Sequence, residues 1–213
     1  MLYLIHINVK KAKQNYKTIT KTIMKKLSLV AAVALTALSF TTYAQSTWSV
    51  DKAHSKLGFS ITHMGVSDVE GSFKITDATI TSAGDDFNGA TVDLTADAAS
   101  LNTDNDARDK HVKGEAFLDV AKNPTITFKS TSFKKTSANT YAVTGNLTLH
   151  GVTKPVTLTA TLRQGVGMNK KPVAGFKISG TFNRKDFGVG TGFGSAMLSD
   201  DITVIANTEF GKN

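Results

Sequence analysis

From Gln45 onward, apolar and polar residues alternate with a period of two in run after run. This period places successive side chains on opposite faces of a strand, so that one face can be buried. The clearest runs are residues 57–63, 92–96, 126–128, 143–149, 156–162, 176–182 and 202–206. Turn-forming residues separate them, for example at 83–86, 88–89, 137–139 and 165–171. Many short alternating strands predict an all-β antiparallel barrel or sandwich.

One short helix is predicted among these strands. Thr103 can cap its N-terminus, and Asp104 and Asp106 follow, where negative charge favours the positive end of a helix dipole. Basic residues occupy the last turn, and Gly114 ends it. We see no linker or repeat after residue 44, so residues 45–213 are predicted to form one domain.

Residues 24–44 have the pattern of a secretory signal peptide. Met24-Lys25-Lys26 is basic, residues 27–40 are apolar, and Thr42-Tyr43-Ala44 provides small residues before a cleavage point. We interpret residues 1–23 as the product of an upstream start codon, the alternative being a real extension. The 1–44 leader predicts export to the periplasm, or to the extracellular space if the host lacks an outer membrane.

The leader also accounts for the basic character of the chain. It carries seven lysines and no acidic residue, so the 25 basic and 17 acidic side chains become 18 and 17 on its removal, and the net charge falls from +8 to +1. The remaining chain has no dense basic run, which argues against nucleic acid as a partner. There is no cysteine, so disulfides and thiolate metal sites are excluded.

Five segments resemble the YceI-like family of secreted bacterial proteins. They read, in chain order, WSVDKAHSKLGFSITHMGVSDVEGSF from Trp48, HVKGEAFLDVAKNPTITF from His111, GNLTLHGVTKPVTL from Gly145, FNRKDFGVG from Phe182, and SDDITVIANTEF from Ser199. Each segment alone is a weak signal, and five in the same order are specific. One departure is Leu118, where a second aromatic residue beside Phe117 is expected, and this could alter the wall of a pocket.

The resemblance implies a lipocalin-like, extended antiparallel barrel of about eight strands with an internal tunnel. It implies an isoprenoid lipid as ligand, such as a polyprenyl phosphate or an isoprenoid quinone. Family members can also dimerise, so a homodimer is one implied arrangement. Stable membrane insertion is not expected, because the apolar run in the leader is shorter than the roughly 20 residues that span a bilayer. We predict no cofactor and no metal.

The predicted binding residues fall into two groups. The apolar wall of the tunnel, or lumen, is assigned to Phe59, Ile61, Phe73, Phe117, Phe128, Leu147, Leu149, Ala160, Phe176, Phe182 and Phe187. Small inward residues such as Ala96, Gly145, Ala160 and Gly180 leave room in it. The polar contacts at its mouth are assigned to His63, His111 and Arg184, although Arg184 beside Asp186 also suits a structural ion pair.

The residues themselves leave other functions open. A barrel of this size can instead be filled by its own side chains, which would make a structural or stress-related protein without ligand. A His-based hydrolase or redox accessory protein is the third hypothesis. Asp51, His54 and Ser55 suggest a triad, but His54 and Ser55 point to opposite faces of an extended segment. No HExxH, P-loop or nucleophile-elbow motif is present. We therefore predict a binding protein and no catalytic residue.

Overall fold

The computed structural model describes residues 14–17, 20–25 and 45–213. The chain divides into two units, Met1–Tyr43 and Ala44–Asn213. In the first unit, residues 14–17 and 20–25 are helical. Apart from Met24 and Lys25, the predicted signal peptide lies outside the described residues. None of the helices that the described residues form is both long and apolar enough to cross a membrane.

The second unit is built from β-strands. They are β1 Ser46–Val50, β2 Lys56–His63, β3 Ser67–Ser82, β4 Thr91–Asn102, β5 Thr125–Lys135, β6 Thr140–Leu149, β7 Val152–Val166, β8 Pro172–Asn183 and β9 Asp201–Lys212. A helix α1 covers Asp106–Lys113, and two 3-10 helices cover Lys52–His54 and Arg184–Phe187.

The strands close into an antiparallel barrel. From β2 to β9 each strand pairs with the next in sequence, and β9 pairs back onto β2, with Phe59 opposite Val204. Closure leaves no long unpaired edge, which removes a common route to aggregation. The predicted barrel of eight antiparallel strands with a short helix is confirmed.

Strand β1 occupies the same position in the barrel wall as β2. Both β1 and β2 pair with β3 on one side and β9 on the other. The break between them is the 3-10 helix Lys52–His54, whose N-cap, Asp51, accepts hydrogen bonds from the backbone N–H groups of Ala53 and His54 at 2.9 and 3.3 Å. This carboxylate satisfies donors that would otherwise be unpaired at the turn.

Strand β3 was not apparent from the alternation, and the structure shows why. Its register against β4 shifts twice, between Ser72 and Lys74 and between Ile75 and Asp77. The first shift places three extra residues in β4, and the second places one extra residue in β3; both change which residues face inward. Ala78 and Ile80 are buried beyond the second shift, whereas Phe73 lies within the first.

The helix starts later than predicted. Asn105, not Thr103, is the N-cap, and its side-chain oxygen accepts from the Arg108 N–H at 2.9 Å. Thr103 is instead buried and donates to the Asp109 carboxylate. Gly114 ends the helix as predicted, with its N–H donating to the His111 carbonyl at 3.1 Å.

Six aromatic side chains fill one end of the barrel, which we call the closed end. They are Trp48, Phe87, Phe133, Tyr141, Phe176 and Phe210, all at most 4% exposed. Their ring centroids form a chain of contacts, at 5.0 Å for Trp48–Phe87 and 5.3 Å for Phe87–Phe176. The Trp48 Nε1 is the one buried side-chain N or O atom of the described residues without a hydrogen-bond partner. Trp48 therefore stabilises this end through apolar area rather than through a hydrogen bond.

Candidate ligand-binding cavity

An apolar cavity of about 360 Å³ lies inside the barrel. Its wall consists of the inward-facing side chains that the alternation predicts, and it contains ten of the eleven predicted lumen residues. These ten are Phe59, Ile61, Phe73, Phe117, Phe128, Leu147, Leu149, Ala160, Phe176 and Phe182. A volume of this size falls within the ~300–1,000 Å³ of small-molecule pockets. Whether these residues contact a ligand stays a prediction.

Phe187 does not line the cavity. Its ring packs against that of Phe182, with centroids 5.1 Å apart, and its carbonyl oxygen lies 3.1 Å from the His150 Nδ1. Phe187 belongs to the second 3-10 helix, where the period of two no longer decides which way a side chain points. The alternating run ends at Phe182, so the period of two makes no prediction for Phe187.

The small residues create less room than predicted. A Cβ on Gly145 would lie 2.7 Å from the Phe128 ring atom Cε2, so that ring occupies the space. A Cβ on Gly180 would meet the Leu158 side chain in the same way. Of the four predicted small positions, only Ala160 lines the cavity. The free volume therefore comes from the closure of the barrel and much less from missing side chains.

The opposite end of the barrel, which we call the mouth, is lined by the end of β2, by α1 and by residues of the 193–198 segment, with the β2–β3 turn beside them. Val66 donates its N–H to the His63 carbonyl, and Met64 and Gly65 between them have φ values of 53° and 67°. This is the geometry of a two-residue hairpin turn of type I′. It leaves Met64 and Val66 61% and 87% exposed, next to Met197, whose carbonyl accepts from the Met64 N–H.

Both predicted mouth histidines lie at this end. His63 and His111 line the cavity and are also exposed to solvent, so each touches both environments. The His111 ring contacts those of Phe117 and Phe193, with centroids 5.2 and 6.1 Å away. The two aromatic rings stack on each other at 4.9 Å. An apolar wall therefore ends in two imidazoles at the solvent boundary.

Helix α1 adds a cation that the sequence reasoning missed. Arg108, His111 and Val112 all line the cavity, at positions i, i+3 and i+4. That spacing places them on one helix face, and it is the signal that could have identified Arg108. Its Nε donates to the Thr103 hydroxyl oxygen at 2.8 Å and its Nη2 to the Thr103 carbonyl at 2.7 Å.

Arg184 occupies the wall in a different way. Its Nε donates to the Ser199 carbonyl, and its Nη1 donates to the carbonyls of Val189 and Gly190. Its Nη2 lies within hydrogen-bond distance of the carbonyls of Phe193 and Leu198 and of the Asp200 carboxylate.

All N–H groups of Arg184 thus have acceptors, and the side chain is fully buried. The predicted contact with a ligand head has no donor left to make it. Arg184 anchors the loop of residues 188–200, and its ion-pair partner is Asp200 instead of Asp186. Hydrogen bonds from Lys185 and then from Ser195 hold the pKa of Asp200 below its ordinary value.

Asp51, His54 and Ser55 do not form a catalytic triad. The His54 Nδ1 lies 2.9 Å from the Asp51 Oδ2, but the Ser55 hydroxyl bonds to the backbone of Glu209. The hydrogen bond between His54 and Asp51 raises the pKa of His54 and lowers that of Asp51. Asp51, His54 and Glu209 place potential metal ligands within 4.8 Å of one another. None of the three lines the cavity.

Comparison with known proteins gives a consistent result. A family model described as the YceI-like domain matches residues 48–210. A UPF0312 protein of Pseudomonas syringae pv. tomato is 40% identical over 84% of this chain and 96% of its own length. One from Serratia proteamaculans is 38% identical over 87% of this chain and 97% of its own length.

Solved structures agree on the fold. BcnA from Burkholderia cenocepacia has a TM-score of 0.67 and 25% identity, covering 75% of this chain and 98% of that one. The YceI protein from Campylobacter jejuni has a TM-score of 0.63 and 30% identity, covering 71% and 90%. A polyisoprenoid-binding domain from Saccharophagus degradans has a TM-score of 0.58 and 14% identity, covering 78% and 98%. At that identity the last comparison shows the fold alone.

Proposed function

Because this chain belongs to the YceI-like family, we propose that it holds an isoprenoid lipid in its barrel for transport or storage. The apolar tail occupies the cavity, and the head lies at the mouth. The lipid is of the polyprenyl phosphate or isoprenoid quinone type. The relatives and the fold favour a binding protein over an enzyme.

The observation that carries this proposal is the cavity itself, which is apolar along its wall and polar only near its ends. Burial contributes roughly 0.8 kcal/mol for each CH₂ removed from water, so a prenyl tail binds without any special polar contact. A polar group at the mouth then selects the head. The polyisoprenoid-binding domain of S. degradans supports the same ligand class through a shared fold.

The cellular location is part of the proposal. The signal-peptide pattern at residues 24–44 supports export to the periplasm, where a carrier could move a lipid through water between membranes. A homodimer of the barrel is compatible with this role.

Bound lipid can be identified directly. The protein is purified from its native host, extracted with organic solvent and analysed by mass spectrometry. A prenyl species at near-stoichiometric amount is expected. A protein that is empty, and that also fails to bind added quinones and polyprenyl phosphates, would instead support a structural barrel. Turnover that is lost in His63→Ala and His111→Ala would support the catalytic alternative.

Filling the cavity should abolish uptake. Ala160 is 2% exposed and lines the cavity, so Ala160→Trp places an indole in the space proposed for the tail. Overpacking costs about 1–3 kcal/mol, which should leave a folded β circular-dichroism spectrum. Thr159→Trp is the matched control, since Thr159 is the exposed neighbour on the same strand. Equal lipid uptake by both variants would exclude the cavity as the binding site.

A further inference from the structure

We propose that Arg108 contacts the head of the bound lipid and gives the cavity a preference for anionic heads, phosphate or carboxylate, over neutral ones. This inference rests on the proposed function. The family resemblance leaves open whether the lipid head is charged or uncharged, and we infer that Arg108 determines this preference.

Among the described residues, the cavity wall contains two charged side chains, Arg108 and Arg184. Arg184 is fully buried and all its N–H groups have protein acceptors. It can therefore offer nothing to a ligand. Arg108 is half-buried on α1, and its two hydrogen bonds both go to Thr103, through Nε and Nη2.

The Nη1 group of Arg108 remains available to a ligand. Its Nη1 makes no hydrogen bond within residues 45–213, and none of the ion pairs in that range includes its guanidinium. A guanidinium beside an apolar wall, with spare donors and no direct ion-pair partner, favours a carboxylate or phosphate, which accepts strong charge-assisted hydrogen bonds.

The side chain is also held in position. Asp109 is 8% exposed, and its Oδ1 accepts both the Thr103 N–H at 2.9 Å and the Thr103 hydroxyl at 2.6 Å. Because the Thr103 hydroxyl donates its hydrogen bond to Asp109, its oxygen is free to accept one from the Arg108 Nε. These hydrogen bonds fix one edge of the Arg108 guanidinium, so less side-chain entropy is lost when its other edge binds a ligand.

The position of Arg108 suits a head rather than a tail. Arg108 lies one helical turn from His111, at the mouth. The opposite, closed end is filled by aromatic rings. A lipid that enters tail first therefore leaves its head beside α1. A neutral head in the same place, such as an alcohol or a quinone, accepts weaker hydrogen bonds from Nη1 and does not neutralise the guanidinium, so it binds less tightly than an anion.

Three probes that share one C15 tail separate the contributions: farnesol, farnesyl phosphate and farnesoic acid. In the wild-type protein, titration calorimetry should show farnesyl phosphate binding about 10- to 100-fold more tightly than farnesol, as expected for charge-assisted hydrogen bonds. Farnesoic acid shows whether a carboxylate serves as well as a phosphate. The preference should shrink as salt is raised, because the mouth is exposed to solvent.

Arg108→Gln should abolish the preference, because it should weaken the binding of farnesyl phosphate far more than the binding of farnesol. Lys110→Gln is the matched control, since it removes one charge from an exposed position of the same helix that does not line the cavity. It should retain the preference. Thr103→Val should reduce the preference in part, because it removes the acceptor that orients Arg108.

Failure of this inference is distinct from failure of the proposed function. Arg108 does not determine the head preference if the wild-type dissociation constants for farnesol and farnesyl phosphate lie within about twofold of each other. The same conclusion follows if Arg108→Gln keeps the preference. If none of the three probes binds the wild-type protein, the lipid-binding function itself is wrong. The wild-type titrations test the preference for an anionic head even if a variant folds poorly.

Discussion

The two ends of the barrel use aromatic side chains differently. At the closed end, six buried aromatic residues contact one another, and Phe87 and Tyr141 are completely buried. At the mouth, Phe117 and Phe193 stack beside an exposed histidine, and Met64, Val66 and Met197 are at least half exposed. The same residue types therefore close one end and leave the other accessible.

This difference separates stability from binding. Buried aromatic area is a large favourable contribution to folding, so the closed end should stabilise the barrel. The mouth has fewer buried contacts and depends on polar anchors such as Arg184, and segments of this kind open more easily. Exchange of a ligand through the mouth then does not require the barrel to unfold.

The largest expected effect is at the closed end. Phe87→Ala should destabilise the protein by about 3–5 kcal/mol, because the ring is fully buried between Trp48 and Phe176. For a domain of this size that lowers Tm by roughly 6–20 °C. Phe193→Ala, at the half-buried mouth ring, should cost less than half as much. Equal losses measured by thermal denaturation would contradict the division between the two ends.

A smaller and more local effect is expected at Arg184. Arg184→Met removes the donors to the carbonyls of residues 189–199. A buried unpaired carbonyl costs about 1–3 kcal/mol, and local opening of the loop to water limits the total loss. Hydrogen exchange should speed up in residues 188–200 while the amides of β6 stay protected. Lys185→Met is the control, since the Lys185 side chain makes only partly exposed contacts, an ion pair with Asp200 and a hydrogen bond to the Ser195 hydroxyl, and its loss should change little. Unchanged exchange in the loop would show that Arg184 does not anchor it.

The smallest effect concerns the exposed pair of Asp51 and His54. Since the pKa of His54 is raised above 6.5, its contribution to stability is present below that pH and is lost as the pH rises through the raised value. Since the pKa of Asp51 is lowered below 3.8, its contribution is lost as the pH falls through that lowered value. Urea midpoints of the wild-type protein and His54→Gln should therefore differ more at about pH 5 than at about pH 9. A difference that does not vary with pH would contradict this.

The period of two predicted which residues face inward along most of the barrel. It worked for β2 and for β4 through β9, because in a regular strand the face of a residue follows from its number alone. It did not reveal β3, whose register against β4 shifts twice, and it did not extend to Phe187, which lies in a 3-10 helix. The helix was predicted, but its N-cap was assigned to Thr103 instead of Asn105. Both residue types are good N-caps, so the sequence alone does not distinguish them.

By itself, the sequence determined the strands, their buried faces and, through the order of its motifs, the family. These are properties of neighbouring residues, so they can be read along the chain. Only the tertiary structure decided that one end is filled by aromatic rings while a cavity remains behind them. It also decided that Arg184 is committed to the backbone while Arg108 faces the cavity with donors to spare. Both outcomes depend on which distant elements meet in space, and the physical reason is that cavities and hydrogen-bond partners belong to pairs of segments rather than to any one of them.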